Sequence, residues 1–111
     1  MKAVLYARVS SKEQEQEGYS IPAQVKLLKE YARKKSLKVV EEFTDAESAK
    51  QTGRKAFEEM LRYFKKHPKV KTLLVEKTDR LYRNNKDASR LEELGVDIHL
   101  VKEGIIVCED S

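Results

Sequence analysis

The sequence predicts an α/β domain: a mainly parallel, four-stranded sheet flanked by helices, with a candidate extra edge strand. Short runs rich in Val, Leu and Ile alternate with longer segments whose apolar residues recur every three or four positions. Strands and helices that alternate in this way form βαβ units with parallel strands. The length of 111 residues and the hydrophobic content of 40% are those of one folded domain.

The first half of the chain predicts two strands and two helices. Residues 3–9 form a short apolar run typical of a buried strand, and residues 10–19 are polar and predict an exposed loop. Ser20 is a candidate N-cap, with Pro22 in the first turn of a helix that has one apolar face. A second strand is predicted over 37–43, a polar loop over 44–53, and an amphipathic helix over 54–66.

The second half predicts two further strands, with a helix between them. Residues 70–75 form the most continuously apolar run, as expected of a central parallel strand, and the polar residues 79–85 predict a turn. A short helix over 87–94 ends before Gly95, a favourable residue just beyond a helix. Residues 96–100 alternate as a fourth strand, and residues 105–107 are the candidate edge strand.

Composition excludes several classes of protein. No apolar run approaches the roughly 18 residues of a membrane span, and the first residues lack the apolar core of a signal peptide. The single cysteine, Cys108, excludes an internal disulfide framework and a cysteine-based zinc site. These features predict a cytoplasmic protein. The net charge of +4 permits an anionic partner without requiring one.

Polar and charged residues collect where the predicted strands end. In parallel sheets ligands bind beyond the carboxyl ends of the strands, so residues that follow different strands meet at one edge. Arginine forks match phosphate oxygens, and several of them around a serine would bind a phosphodiester and stabilise its transition state. This reading requires no metal or cofactor. The residues at this edge are Tyr6, Arg8, Ser10, Asp45, Arg54, Asp79, Arg80 and Arg83.

From the residues alone, other readings of this edge stay open. Arginines near strand ends often form surface ion pairs with neighbouring carboxylates. Asp45 and Asp79 could hold a divalent cation, although four nearby arginines would repel it. Ser10 could serve as a turn cap, and Ser11 is the competing nucleophile one residue away.

Three ordered motifs resemble the catalytic domain of the serine recombinase (resolvase/invertase) family. The first is the run Tyr-Ala-Arg-Val-Ser at 6–10, followed by Gln14 and Gln24. The second is Phe-Thr-Asp at 43–45 together with Arg54, and the third is Asp-Arg-Leu-Tyr-Arg at 79–83. The stretches 47–50, 81–84 and 98–103 are most similar to the large, integrase- or transposase-type branch.

The resemblance implies a resolvase-like three-layer fold and site-specific DNA recombination, with double-stranded DNA as partner. Ser10 would be the nucleophile, forming a 5′-phosphoserine link and a free 3′-hydroxyl. The family pattern gives the arginines Arg8, Arg80 and Arg83 as a clamp on the scissile phosphate, with Arg54 approaching from the second loop. It gives Asp79 as a proton-transfer or orienting group, Asp45 as an orienter, and Tyr6, Gln14 and Gln24 as support.

The chain departs from the family pattern in two places. Ser11 stands where the family usually has threonine, which keeps the hydroxyl. After Ser111 the long dimerisation helix and the DNA-binding region are missing, so we expect residues 1–111 to be a folded but inactive catalytic fragment. The resemblance implies a homodimer or tetramer at full length, in a prokaryotic cytoplasm and associated with the nucleoid, acting on a mobile element.

Two further classes of protein share the predicted order of strands and helices. A phospho-acceptor receiver needs an acidic pair after the first strand, where this chain has Arg8 and Ser10. A flavodoxin-like binding module needs a phosphate-cradling loop rich in Ser, Thr or Gly, where residues 10–19 offer chiefly Glu and Gln. A recombinase-like protein that has lost catalysis and only binds partners is a third alternative.

Overall fold

The computed structural model describes residues 1–10, 20–46, 54–82 and 84–108. Within these ranges no helix is long and apolar enough to cross a membrane. The elements, in chain order, are β1 (Lys2–Val9), α1 (Ile21–Lys34), β2 (Lys38–Ala46), α2 (Lys55–Lys66), β3 (Thr72–Val75), a single 3-10 turn (Thr78–Arg80), α3 (Asn85–Glu93), β4 (Asp97–Leu100) and β5 (Ile105–Val107).

The five strands form one sheet in the order β2-β1-β3-β4-β5. The first four strands are parallel, and β5 returns antiparallel to β4 at the edge. The predicted fold class, including the extra edge strand, is therefore confirmed. With β1 between β2 and β3, the ends of all three strands lie side by side, and this order positions the site.

The second strand is longer than the sequence predicted. Residues 44–46 were assigned to a polar loop, but β2 continues through Ala46 because its parallel pairing with β1 extends that far, with Thr44 opposite Ala7 and Asp45 opposite Arg8. Asp45 is thereby held in a strand, at a fixed position beside Arg8.

Alternate residues of β1 pack against helices on opposite faces of the sheet, because strand side chains alternate in direction. Ala3 and Leu5 join a buried cluster with Leu28 of α1. Val4 and Tyr6 join a larger cluster on the other face, which takes in side chains of α2 and α3. These two clusters make the three-layer arrangement. Tyr6 and Arg8 share the face that carries α2 and α3.

Local capping fixes the ends of the helices. The Ser20 hydroxyl accepts a hydrogen bond from the Ala23 amide at 3.3 Å, which confirms the predicted start of α1. The third helix begins at Asn85, two residues before the predicted start, because the Asn84 side chain caps it by accepting from the Asp87 amide at 3.0 Å. Gly95 follows α3 with a φ of 66°, a conformation that favours glycine.

Candidate active site

Three strand ends deliver the candidate residues to one edge of the sheet. Ser10 directly follows β1 and is half-buried. Asp45 is the penultimate residue of β2, on the neighbouring strand. The 3-10 turn Thr78–Arg80 follows β3, the strand on the other side of β1. Ser10 and Arg80 therefore lie at the same edge, as the parallel topology predicted.

Arg8 joins the first motif to the third. Its Nε donates to the backbone carbonyl of Arg80 at 3.4 Å, and a terminal guanidinium nitrogen donates to the carbonyl of Asp79. The backbone of Arg8 is held from the other side by Gln24 of α1, whose amide donates to the Arg8 carbonyl at 3.0 Å and accepts from the Arg8 N–H at 3.2 Å. The end of β1, two residues before Ser10, is thus fixed on both sides.

Arg80 is turned into the protein. Only 2% of its side chain is exposed, and its Nε donates to Glu76 Oε1 at 3.3 Å, one helical spacing back along the chain. Lys102 lies on the other carboxylate oxygen of Glu76 at 3.5 Å. A buried guanidinium is tolerated only when it is paired, and Glu76 supplies that pairing here.

The turn between β4 and β5 braces the turn of the third motif. Glu103 accepts hydrogen bonds from both the backbone N–H and the hydroxyl of Thr78, the latter at 2.7 Å. These two bonds lower the pKa of the Glu103 carboxyl below its ordinary value. The turn that carries Asp79 and Arg80 is therefore anchored at its first residue by an ionised group.

Asp45 joins β2 to the start of α2. Its two carboxylate oxygens accept from the amides of Ala56 at 2.9 Å and Phe57 at 3.0 Å, which have no partner within the helix. The Tyr6 hydroxyl donates to the same carboxylate at 2.7 Å. Burial, and then this bond to Asp45, raise the pKa of Tyr6 above its ordinary value. Tyr6 is thus a buried, protonated support for Asp45.

Arg54 is also directed inward. Its side chain is 7% exposed and forms an ion pair with Asp87 of α3. The same guanidinium donates to the Leu81 carbonyl and, at 3.3 Å, to the Tyr6 hydroxyl. It lies over the ring of Phe57, 4.0 Å from the centroid. The fork expected to approach the phosphate from the second loop therefore faces protein groups in this arrangement.

Two functional partners were missed in the sequence. The carboxylates that hold Arg80 and Arg54 are Glu76 and Asp87, whereas the expected orienters were Asp79 and Asp45. The spacing of four residues between Glu76 and Arg80 is a signal that could have found the first pair. Asp87 lies 33 residues from Arg54, and nothing in the sequence connects them.

Some predicted residues lie outside the part of the chain that the structure describes. These are Ser11, Gln14, Arg83, residues 47–50 and most of the loop predicted over 10–19. Among the residues that are described, no group of three or more His, Cys, Asp or Glu side chains could hold a metal ion.

The sequence matches the family described as "Resolvase, N terminal domain" over residues 3–111. No curated protein matches the chain. Among solved structures, the N-terminal catalytic domain of TP901-1 integrase is similar, with 29% identity, a TM-score of 0.80, and coverage of 96% of this chain and 82% of that one.

Two other solved structures are similar. A resolvase family site-specific recombinase from Streptococcus pneumoniae shares 33% identity, with a TM-score of 0.80 and coverage of 96% of this chain and 75% of that one. The C-terminal catalytic domain of ISC1926 TnpA, an IS607-like serine recombinase, shares 34% identity, with a TM-score of 0.74 and coverage of 92% and 70%. These matches favour neither a receiver nor a flavodoxin-like module. The chain belongs to the resolvase family and has the fold of a serine recombinase catalytic domain.

Proposed function

We propose that this chain cleaves and rejoins DNA in site-specific recombination, with Ser10 as the nucleophile. The observation that carries the proposal is the position of Ser10, which follows Arg8 by two residues while the Arg8 guanidinium holds the carbonyls of Asp79 and Arg80. The first and third motifs thereby meet at one edge of the sheet.

The chemistry is a pair of transesterifications. The Ser10 oxygen attacks the phosphorus and loses its proton, the bond to the 3′-oxygen breaks, and that oxygen takes up a proton as the 3′-hydroxyl leaves. The product is a 5′-phosphoserine ester. Attack on this ester by the 3′-hydroxyl of a recombined strand reverses the step and releases Ser10. Phosphodiester bonds are conserved, so no ATP and no cofactor are needed.

We assign the arginines different roles in that reaction. Arg8 lies at the strand end next to Ser10, and its guanidinium donates to the backbone carbonyls of Asp79 and Arg80. In this proposal it binds the scissile phosphate from that position. Arg80 reaches a phosphate only when its turn shifts, because its side chain is 2% exposed and pairs with Glu76. Arg83 completes the clamp in this proposal. Asp79 orients groups or transfers a proton, and Asp45 orients Tyr6 and α2.

The setting of the reaction is also a proposal. The similar structures include an integrase and an IS607-like recombinase, which supports a mobile element as the DNA acted upon. The partner is double-stranded DNA, bound by a homodimer or tetramer in a prokaryotic cytoplasm. The catalytic domain is N-terminal in TP901-1 integrase and C-terminal in ISC1926 TnpA.

The test is to trap the covalent intermediate. The protein at its natural length is incubated with sheared genomic DNA of the organism that encodes it, quenched in denaturant, digested with nuclease and analysed by mass spectrometry. We expect a nucleotide adduct on the peptide that contains Ser10, and no adduct in Ser10→Ala. Ser11→Ala is the matched control and should retain the adduct. An adduct that survives Ser10→Ala would move the nucleophile, and DNA binding without any adduct would favour a silent, binding-only protein.

A further inference from the structure

A buried ion pair joins the start of α2 to the start of α3. Arg54 is the residue that precedes α2, and Asp87 lies in the first turn of α3. Their side chains are 7% and 12% exposed, so neither charge is solvated as it would be in water. Such burial is tolerated because each charge neutralises the other and the guanidinium makes further hydrogen bonds.

Asp87 is held in place independently of Arg54. Its backbone N–H donates to the Asn84 side chain at 3.0 Å, in the capping arrangement that fixes the first turn of α3. A carboxylate in the first turn is also stabilised by the positive end of the helix dipole. The backbone of Asp87 is therefore fixed by a contact that does not involve Arg54, and its carboxylate accepts from the Arg54 guanidinium.

The Arg54 guanidinium connects Asp87 to the third motif, residues 79–83. It donates to the carbonyl of Leu81, the residue that directly follows the turn Thr78–Arg80, and to the hydroxyl of Tyr6 in β1. The fork thus sets the distance between the turn that carries Asp79 and Arg80 and the strand that leads to Ser10.

We propose that Asp87 is a positioning residue for strand cleavage. It positions the Arg54 side chain to donate to the Leu81 carbonyl. In this way it fixes the position of the turn Thr78–Arg80 relative to Ser10. This inference rests on the proposed function, and it assigns Arg54 to the frame of the site and not to the surface that touches DNA. Misplacement of a reacting group by about 1 Å can lower a reaction rate by a factor of about 100. A displaced turn should therefore lower the rate of DNA cleavage measurably.

The experiment compares Asp87→Asn with Glu58→Gln in the protein at its natural length. Glu58 of α2 pairs with Arg90 of α3 at 2.8 Å, so the control breaks an ion pair between α2 and α3 that lies away from the Leu81 carbonyl and Tyr6. With sheared genomic DNA as the probe, we expect Asp87→Asn to slow formation of the Ser10 adduct by about 10- to 100-fold without a change in DNA affinity. Glu58→Gln should change neither.

A double variant separates positioning from general loss of structure. If Asp87 acts through Arg54, then Arg54→Met with Asp87→Asn should cleave no more slowly than Arg54→Met alone, because the effects of coupled residues are not additive. All rates are measured well below the unfolding temperature of each variant. If Asp87→Asn does not fold, Arg54→Lys takes its place: it keeps the charge opposite Asp87 but lacks the fork, and the same slowing is expected.

The outcomes distinguish this inference from the proposed function. A wild-type protein that forms no Ser10 adduct would overturn the proposed function, and this inference with it. A wild-type adduct that Asp87→Asn forms equally fast would overturn the positioning role alone. Additive slowing in the double variant, or an equal effect of Glu58→Gln, would also overturn it.

Discussion

Among the described residues, two arginine–carboxylate pairs join α3 to α2 or to the residue that precedes α2, and they differ in burial. Arg54 and Asp87 meet at the edge of the sheet that carries the site, with side chains 7% and 12% exposed. Arg90 and Glu58 meet further along the same helices, with side chains 36% and 44% exposed. Both pairs join a guanidinium to a carboxylate, but only Arg54 also donates to the Leu81 carbonyl and the Tyr6 hydroxyl. Burial and these extra hydrogen bonds therefore distinguish the two pairs.

Exposure to water determines how much each ion pair contributes to the free energy of unfolding. An exposed pair exchanges good hydration for a modest Coulomb attraction and gains about 0–1 kcal/mol. In a buried pair the desolvation cost is already present in the fold, so removal of one partner leaves the other charge uncompensated at a cost of about 3–5 kcal/mol. The buried pair is therefore suited to fixing a geometry, and the exposed pair adds little beyond charge balance.

The largest expected effect comes from breaking the buried pair. Arg54→Ala should lower the free energy of unfolding by about 3–5 kcal/mol, because the mostly buried Asp87 carboxylate would lose the guanidinium that it pairs with. Urea unfolding followed by circular dichroism measures the change. Arg90→Ala is the matched control, and equal losses in the two variants would contradict the role given to burial.

Asp45→Ala should have the next largest effect. It removes the acceptor of the two amides at the start of α2 and of the buried Tyr6 hydroxyl, at a cost of about 2–3 kcal/mol. Urea unfolding gives the free energy, and hydrogen exchange should show faster exchange of the Ala56 and Phe57 amides. Ser20→Ala, which removes a half-buried cap from α1, should cost about 1 kcal/mol. Unchanged exchange at Ala56 and Phe57 would refute the capping role of Asp45.

Tyr6→Phe tests a single hydroxyl of the buried cluster. This hydroxyl donates to Asp45 and accepts from Arg54, so its loss should cost about 1 kcal/mol. Tyr31→Phe is the control, because the Tyr31 hydroxyl bonds to His99 at 2.7 Å in a half-buried position where water can replace it. Urea unfolding of both variants measures the difference, and a larger loss for Tyr31→Phe would reverse the expected order.

The placement of the site could be predicted from the sequence, because it depends on backbone topology alone. Arg8, Asp45 and Arg80 follow or end parallel strands, and parallel strands bring their carboxyl ends to one edge. The end of β2 was missed because polar residues resemble a loop when the pairing that extends the strand is not visible. The fold class, and the edge of the sheet at which the site residues lie, thus follow from the spacing of apolar residues in the sequence.

The partners of the arginines could not be predicted in the same way. Several carboxylates lie within reach of any arginine at this edge, and packing decides which one each fork meets. Asp87 lies in the first turn of α3, which begins two residues earlier than the periodicity indicated, and from there its carboxylate pairs with Arg54.

The smallest effect on stability is expected for the exposed pair of Arg90 and Glu58. The pH dependence of the free energy of unfolding measures it. The hydrogen bond from Arg90 lowers the pKa of the Glu58 carboxyl below its ordinary value of 4.5. A lowered folded-state pKa means that the unfolded chain binds the proton more tightly. The stabilisation by the Glu58–Arg90 pair is therefore fully present above about pH 4.5. It is lost as the pH falls through the folded-state pKa of Glu58.

Arg90→Ala should consequently lower the free energy of unfolding by about 0–1 kcal/mol at neutral pH. The difference from wild type should shrink as the solution is acidified through the lowered pKa of Glu58, because protonation of that carboxyl removes its attraction to Arg90. Urea unfolding across that pH range measures it, and high salt should shrink the neutral-pH difference by screening. A difference that stays the same on acidification would mean that Arg90 stabilises the α2–α3 contact through its aliphatic stem and not through its charge.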